Sequence, residues 1–205
     1  MKDIKEIFDD ILFDIEHNGL KTCSRYCKNS IMVARQHSSF LSAIAFFATL
    51  NAKGDIVEVG IDSGIGALSM GWGVQARKNI KVYSVDIREC CVTSSIARAK
   101  KLGITNVEFF LGTSSDLKKK TNEVAVAFID GGHKYQDCLK DLMQVSRLMN
   151  VMGTIICHDC SIRVNGNDGV RKAVAEFCRQ VPGWHVIRIN GYAILNRGVV
   201  LCDQS

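Results

Sequence analysis

Four carboxylates stand where four apolar runs stop. Glu58 follows Ile56-Val57, and Asp86 closes Val82-Tyr83-Ser84-Val85. Asp130 closes Val124-Ala125-Val126-Ala127-Phe128-Ile129, and Asp159 follows Thr154-Ile155-Ile156-Cys157-His158. A carboxylate at the end of a buried strand is costly without a partner. For one such acid a helix cap or a turn is an equally good explanation, but the same placement four times points to one acid-rimmed site. Beyond Glu58 the chain turns through Gly60, Gly64 and Gly66, and glycines let a backbone bend sharply and approach a ligand closely. Asp86 lies twenty positions after Gly66, where an acid that reaches the two hydroxyls of a ribose belongs. The spacing Gly60-x-x-x-Gly64-x-Gly66 is not the Gly-x-Gly-x-x-Gly that seats a pyrophosphate on a helix N-terminus. An acid at 58 would repel phosphates and suit an ammonium or sulfonium. The residues therefore describe a site for a nucleoside with a cationic tail.

Such a ligand is S-adenosylmethionine. The segment Glu58-x-Gly60-x-x-x-Gly64, then Asp86, then Gly112-Thr113-Ser114-Ser115-Asp116, resembles the class I S-adenosylmethionine-dependent methyltransferases. The segment Asp130-Gly131-Gly132-His133-Lys134-Tyr135 is closest to the small-molecule O-methyltransferases of the macrocin and cephalosporin-tailoring type. The resemblance covers roughly residues 52–195. It implies an α/β, three-layer Rossmann-like methyltransferase fold whose mostly parallel, seven-stranded sheet has one antiparallel strand near the C-terminus. It also implies that Gly60 and Gly64, with Glu58 nearby and Asp62 and Ser63 between, line the methionine part of the cofactor. Asp86 would hold the ribose, Ile87 would flank the adenine, Ser114 and Ser115 would sit at the adenine edge, and Asp130 would complete the cofactor site.

On the acceptor side, His133 matches a histidine proposed as general base in the macrocin-type relatives. Methyl transfer to a hydroxyl needs a positioned nucleophile and a place for its proton, and imidazole suits the second task. The alternatives are that His133 caps the following helix or bonds Asp130 structurally. Lys134 is a second, weaker base candidate. The metal-dependent members of the family place acids at positions matching Asp130, His158 and Asp159. Two neighbouring carboxylates would also favour a cation between them. With a histidine at the middle position, preference shifts from magnesium toward another divalent metal. The expected acceptor is a small hydroxylated molecule rather than a nucleic acid or a membrane. The competing readings are a nicotinamide-dependent oxidoreductase and a catalytically inactive nucleoside-binding module.

Positioning these groups requires strands that alternate with helices. Apolar runs at 55–59, 81–86, 107–111, 124–130 and 153–158 read as strands, and segments 65–77, 88–102, 114–121, 134–149 and 168–180 read as helices. Short apolar strands between helices imply a parallel sheet covered on both faces. Residues 184–189 and 192–195, joined by Asn190-Gly191, read as a hairpin, so an antiparallel strand is expected at one sheet edge. Gly71 lies inside an expected helix, where close helix–sheet packing is its simplest reason. Residues 3–17 and 40–51 carry apolar residues at helical spacing. They are expected to form an N-terminal extension, residues 1–51, on a core of residues 52–205, and those helices could pair between subunits as a homo-oligomer. Residues 18–37 and the polar loop 161–168, with Arg163, Asn165 and Asn167, are candidate walls of the acceptor pocket. Asp168 is more easily read as a helix cap.

With 205 residues, 47% of them hydrophobic, and a net charge of +5, the chain is expected to form a single globular domain. Lys118-Lys119-Lys120 is the only tight basic run, and it reads as a solvated helix end rather than a nucleic-acid site. No apolar run is long enough to span a bilayer. The charged, periodic N-terminus is unlike a signal peptide. Nine cysteines then imply reduced thiols in the cytoplasm. Cys157 and Cys160 have Cys-x-x-Cys spacing, but no second pair follows. Strand alternation would also point the two thiols to opposite faces, so zinc or redox chemistry is not expected there.

Overall fold

A computed structural model describes residues 48–50, 52–160, 168–189 and 191–197. The N-terminal extension apart from residues 48–50, with the segment 18–37 inside it, and most of the loop 161–168 lie outside the described residues. From residue 55 the elements among the described residues follow in order: β1 (Asp55–Val59), α1 (Ile65–Gly73), β2 (Val82–Asp86), α2 (Glu89–Leu102), β3 (Val107–Leu111), a 3-10 turn (Ser114–Lys119), β4 (Val124–Ile129), α3 (Tyr135–Ser146), β5 (Met149–Cys157), α4 (Gly169–Gln180), β6 (Trp184–Ile189) and β7 (Tyr192–Arg197). The sheet order is β3-β2-β1-β4-β5-β7-β6. β1 through β5 run parallel, and β7 is antiparallel to both of its neighbours. The expected reversed strand is present, but it sits second from the edge. The edge itself is β6, because β7 folds back on it from the Ile189–Tyr192 pair and lies between β6 and β5.

Alternation along each strand divides the core in two. Ile56, Val82, Val126 and Phe128 face α1 and α2, with Leu68, Met70 and Val92. Val57, Val59, Ala127 and Ile129 face α3 and α4, with Leu142, Val145 and Phe177. These are the three layers the sequence predicts. Gly71 earns its place in α1 as expected, because a side chain there would strike Val107 of β3.

Three departures from the sequence expectation stand out. The segment 114–121 is a tight 3-10 turn closed by a reciprocal Thr113–Asp116 capping box, not an α-helix. α1 ends at Gly73 rather than at 77, consistent with the low helix propensity of glycine. β5 begins at Met149 rather than at 153, because Met149 pairs with Val124 across an irregular register. The paired backbone at Met149 outweighs the helical pattern that ran into it.

The order of strands places β1 and β4 side by side although β2 and β3 come between them in sequence. Here the chain's direction of winding reverses, and the crevice beyond the C-terminal strand ends is where open α/β sheets take ligands.

Candidate active site at the strand switch point

Gly60 leaves β1 at φ 94°, a left-handed conformation that favours glycine. A side chain at this position would overlap the carbonyl of Asp130. The β1 and β4 exits can therefore touch, and the amide of Asp130 donates to Val59 O at 2.8 Å. Asp62 (φ 43°) and Asp159 (φ 54°) are the non-glycine residues with positive φ among the described residues. Both lie in this crevice, where locally strained backbone is typical of functional turns.

Asp86 ends β2 almost fully buried, at 5% exposure. Its Oδ2 accepts the amides of Ile61 at 2.9 Å and Asp62 at 3.3 Å, and its Oδ1 accepts the amide of Arg88 at 2.8 Å. The Arg88 guanidinium adds Nε to Oδ1 at 3.1 Å and Nη2 to Oδ2 at 3.2 Å. Burial pushes this carboxyl up, but the Arg88 and Ile61 hydrogen bonds outweigh it and hold the group below the ordinary carboxylate range. Asp86 is thus ionised and fixed against the glycine turn. Beside it, Ile87 is 75% exposed and Leu111, its neighbour across β3, is 56% exposed. Two uncovered aliphatic side chains next to a buried carboxylate make a suitable floor for a flat aromatic ring. Leu111 was not apparent from sequence, because a leucine closing a strand reads as core.

Glu58 differs from expectation. It is buried, accepts from the Ser84 hydroxyl and the Ala67 amide, and fills the space left by Gly66, where a side chain would overlap its Oε1. Burial first, then Asp130 and Asp86, raise its pKa to about 8. At neutral pH it carries a proton. It braces the start of α1. The folded state therefore holds a proton that the unfolded chain, with an ordinary value of 4.5, gives up. The associated stability is full below about pH 4.5 and is lost as pH rises toward about 8. Glu58→Gln should flatten that loss: thermal melts from pH 5 to pH 8.5 should show the variant losing about 1–3 kcal/mol less than the parent. Parallel pH curves would refute the assignment.

Ser63 is half-buried, and its carbonyl accepts from Arg98. Ser114 is buried. Ser115 is half-buried and lies 2.7 Å from Thr113 Oγ1.

On the other side of the switch point two imidazoles cross two carboxylates. His133 Nε2 lies 2.8 Å from Asp159 Oδ2 and 3.8 Å from Asp130 Oδ1. His158 Nδ1 lies 2.9 Å from Asp130 Oδ1 and 3.6 Å from Asp159 Oδ1. The hydrogen bond to Asp159 raises the pKa of His133 against the opposing effect of burial. Burial lowers that of His158, but Asp130 raises it further, for a net rise. Gly169, the first residue of α4, lets that helix press on the backbone of His133 and Lys134. This fixes the turn that carries His133. Lys134 is exposed at the N-cap of α3 and is not drawn into the cluster. Asp168 takes the N-cap of α4 as expected, although its carboxylate pairs with Arg171 and Lys172 instead of capping.

Among the described residues, the ligating atoms near enough to share one ion belong to Asp130, His133 and Asp159. His158 is not in that group. Its Nδ1 is turned onto Asp130, so it orients a carboxylate rather than supplying a ligand. A nitrogen and two carboxylates fit a transition metal or zinc better than magnesium.

A buried tyrosine completes this side. Tyr192 starts β7 next to the end of β5, its ring centroid 4.9 Å from that of His158. Burial and the two aspartates push its phenol well up. The hairpin pattern locates Tyr192, but only the β5–β7 pairing brings it here.

The cysteines mostly lie elsewhere. Because β5 stops at Cys157, strand alternation does not apply to Cys160, and both thiols enter the same core face with Cys138. The neighbouring Cys138 and burial push Cys157 well above its ordinary range, so it is not a thiolate ligand or nucleophile. Cys91, Cys138, Cys157, Cys160 and Cys178 are free thiols, but Cys90 is disulfide-bonded, against the expectation of uniformly reduced cysteines.

The sheet order, the glycine turn and the acidic strand ends together define the Rossmann-like fold of class I S-adenosylmethionine-dependent methyltransferases. Among solved structures, an O-methyltransferase of Streptomyces achromogenes involved in tomaymycin synthesis, in complex with S-adenosylmethionine, is 14% identical with a TM-score of 0.64, covering 96% of this chain and 91% of that one. A Klebsiella pneumoniae protein classed provisionally as an O-methyltransferase is 13% identical with a TM-score of 0.68, covering 96% and 91%. An rRNA methylase of Streptococcus thermophilus is 18% identical with a TM-score of 0.55, covering 80% and 95%. No curated protein matches the chain. The family model described as a methyltransferase domain matches residues 57–160, and the chain belongs to that family.

Proposed function

We propose that the protein transfers the methyl group of S-adenosylmethionine to a hydroxyl of a small molecule, with His133 as general base. One observation carries this reading. The ribose-type carboxylate Asp86, locked to the glycine turn, and the His133–Asp159 pair open onto the same crevice, since the β1 and β4 exits touch through Gly60 and Asp130. Nε2 of His133 lies against Asp159, and Nδ1 is the nitrogen this reading assigns to the acceptor. That nitrogen accepts the acceptor's hydroxyl proton as oxygen attacks the sulfonium methyl in line. The thioether then departs neutral.

A small acceptor is favoured over RNA because the basic run is engaged locally. Lys119 pairs with Asp116 at 2.6 Å and Lys120 with Glu108 at 2.5 Å. No helix among the described residues is long and apolar enough to cross a membrane. Family membership gives the nicotinamide reading no support.

A second reading rests on the Asp130, His133 and Asp159 cluster. These residues would hold a divalent ion able to polarise the acceptor hydroxyl, and His133 would then be a ligand and not the base. Incubation with methyl-labelled S-adenosylmethionine and a panel of catechols, sugars and macrolides, with RNA as a control, tests both. The expected product is a labelled small molecule, formed equally after chelator treatment. Label in RNA alone, or in no acceptor, would contradict the proposal. Activity abolished by chelator and restored by manganese or zinc would favour the metal reading.

A further inference from the structure

We infer that Arg88 is a displaceable latch on the ribose carboxylate, setting cofactor affinity by competing with the ribose diol for Asp86. This rests on the reading of Asp86 as the ribose acceptor. A carboxylate offers about four lone-pair directions, and Asp86 already accepts from five N–H donors. A ribose brings two more donors in its hydroxyls, so existing ones must leave. The three backbone amides belong to the glycine turn and to the start of α2, and they cannot withdraw without unmaking both. The two guanidinium donors sit on a side chain that is 44% exposed, and they can. A second carboxylate, that of Asp62, lies 3.6 Å from Arg88 Nη2 and is 55% exposed. It offers the guanidinium a place to go that keeps its charge paired. The bidentate fork of Arg88 is also a fair geometric substitute for a vicinal diol, since both present two parallel donors to one carboxylate. Arg88 therefore holds Asp86 ionised and aimed before a nucleoside arrives, and it yields its two positions when one does. The sequence alone shows an arginine two residues after an aspartate, which reads as a solvated charge.

The test is calorimetric titration with adenosine and with 2′,3′-dideoxyadenosine. These neutral probes differ in the diol, so the charge of the sulfonium does not enter. Arg88→Ala should bind adenosine roughly twofold to fivefold more tightly than the parent, the range for releasing a partly exposed ion pair. Its affinity for the dideoxy probe should be unchanged. Arg88→Lys, which keeps the charge without the planar fork, should fall between. The proposal is overturned if Arg88→Ala binds both probes more weakly, which would make Arg88 a contact or a brace, or if both affinities rise equally. A different failure identifies the underlying reading as the fault: parent and Asp86→Asn alike would then bind the two probes equally, showing that Asp86 does not read the diol. Folding of each variant is checked by thermal melting. The Arg88 side chain takes no part in the cap of α2, so both variants are expected to fold, with Arg88→Ala melting somewhat below the parent for loss of its pair with Asp86.

Discussion

Asp86→Ala is expected to weaken binding of S-adenosylhomocysteine by about 100-fold or more, and this is the largest single effect the site predicts. Two losses combine. The ribose hydroxyls lose their charged acceptor, and hydrogen bonds to a buried ion are worth about 1.5–3 kcal/mol each. The amides of Ile61 and Asp62 lose the oxygen that shapes the glycine turn, so the surface that would meet the methionine portion loosens as well. Removing one buried charged partner also strands the others, and a fall in stability of about 2–3 kcal/mol should accompany the lost affinity. Asp86→Asn separates the two. It retains an acceptor for the turn but only one good oxygen for the diol, so its melting point should move less than its affinity. Calorimetric titration with S-adenosylhomocysteine beside thermal melts reads both quantities. An alanine variant that binds at parental affinity would remove Asp86 from the cofactor site.

His133→Ala should lower kcat by about 10²- to 10⁴-fold, the range for loss of a positioned general base, while affinity for S-adenosylhomocysteine stays within a fewfold of the parent. The split follows from position. His133 pairs with Asp159 across the switch point from Asp86. Its pH behaviour follows from the same pairing. The hydrogen bond to Asp159 raises the imidazole above its ordinary 6.5. A base acts when deprotonated, so kcat should climb with pH through that raised value. Asp159→Asn removes the carboxylate that raises it, and the rising limb should then move to lower pH. A pH–rate profile for the parent and for Asp159→Asn, on the best acceptor from the panel, checks the direction. Parental turnover in His133→Ala, or a limb that moves upward in Asp159→Asn, would rule the base out.

The alternation of apolar runs and helical segments was legible in the sequence because the central strands β1, β2 and β4 are buried on both faces and α2, α3 and α4 on one, and burial writes a period into the chain. The glycine turn was legible because Gly60 must adopt a conformation other residues avoid, and the acids at 86, 130 and 159 because a charge at the end of an apolar run stands out. Glu58 stood out equally and was read as a ligand group. Whether a carboxylate is ionised depends on what surrounds it in space, and Ser84, Ala67 and Phe128 come from three other elements. The extent of the 3-10 turn and the start of β5 were hidden for a related reason, since side-chain caps and cross-strand pairing override a short helical pattern.

The amino-acid order by itself determined the layered sheet, the family and the residues that can do chemistry, because these depend on periodicity and on residue type at fixed spacing along one strand–turn–helix unit. Tertiary structure alone decided how those residues are partnered. Asp130 could have met either histidine, and Arg88 could have pointed into water. His158 meets Asp130 through Nδ1, and Tyr192, some thirty residues later in the chain, lies against it. Partnership of this kind is set by which strands lie side by side. That order is a property of the whole folded sheet and is written in no single stretch of the chain.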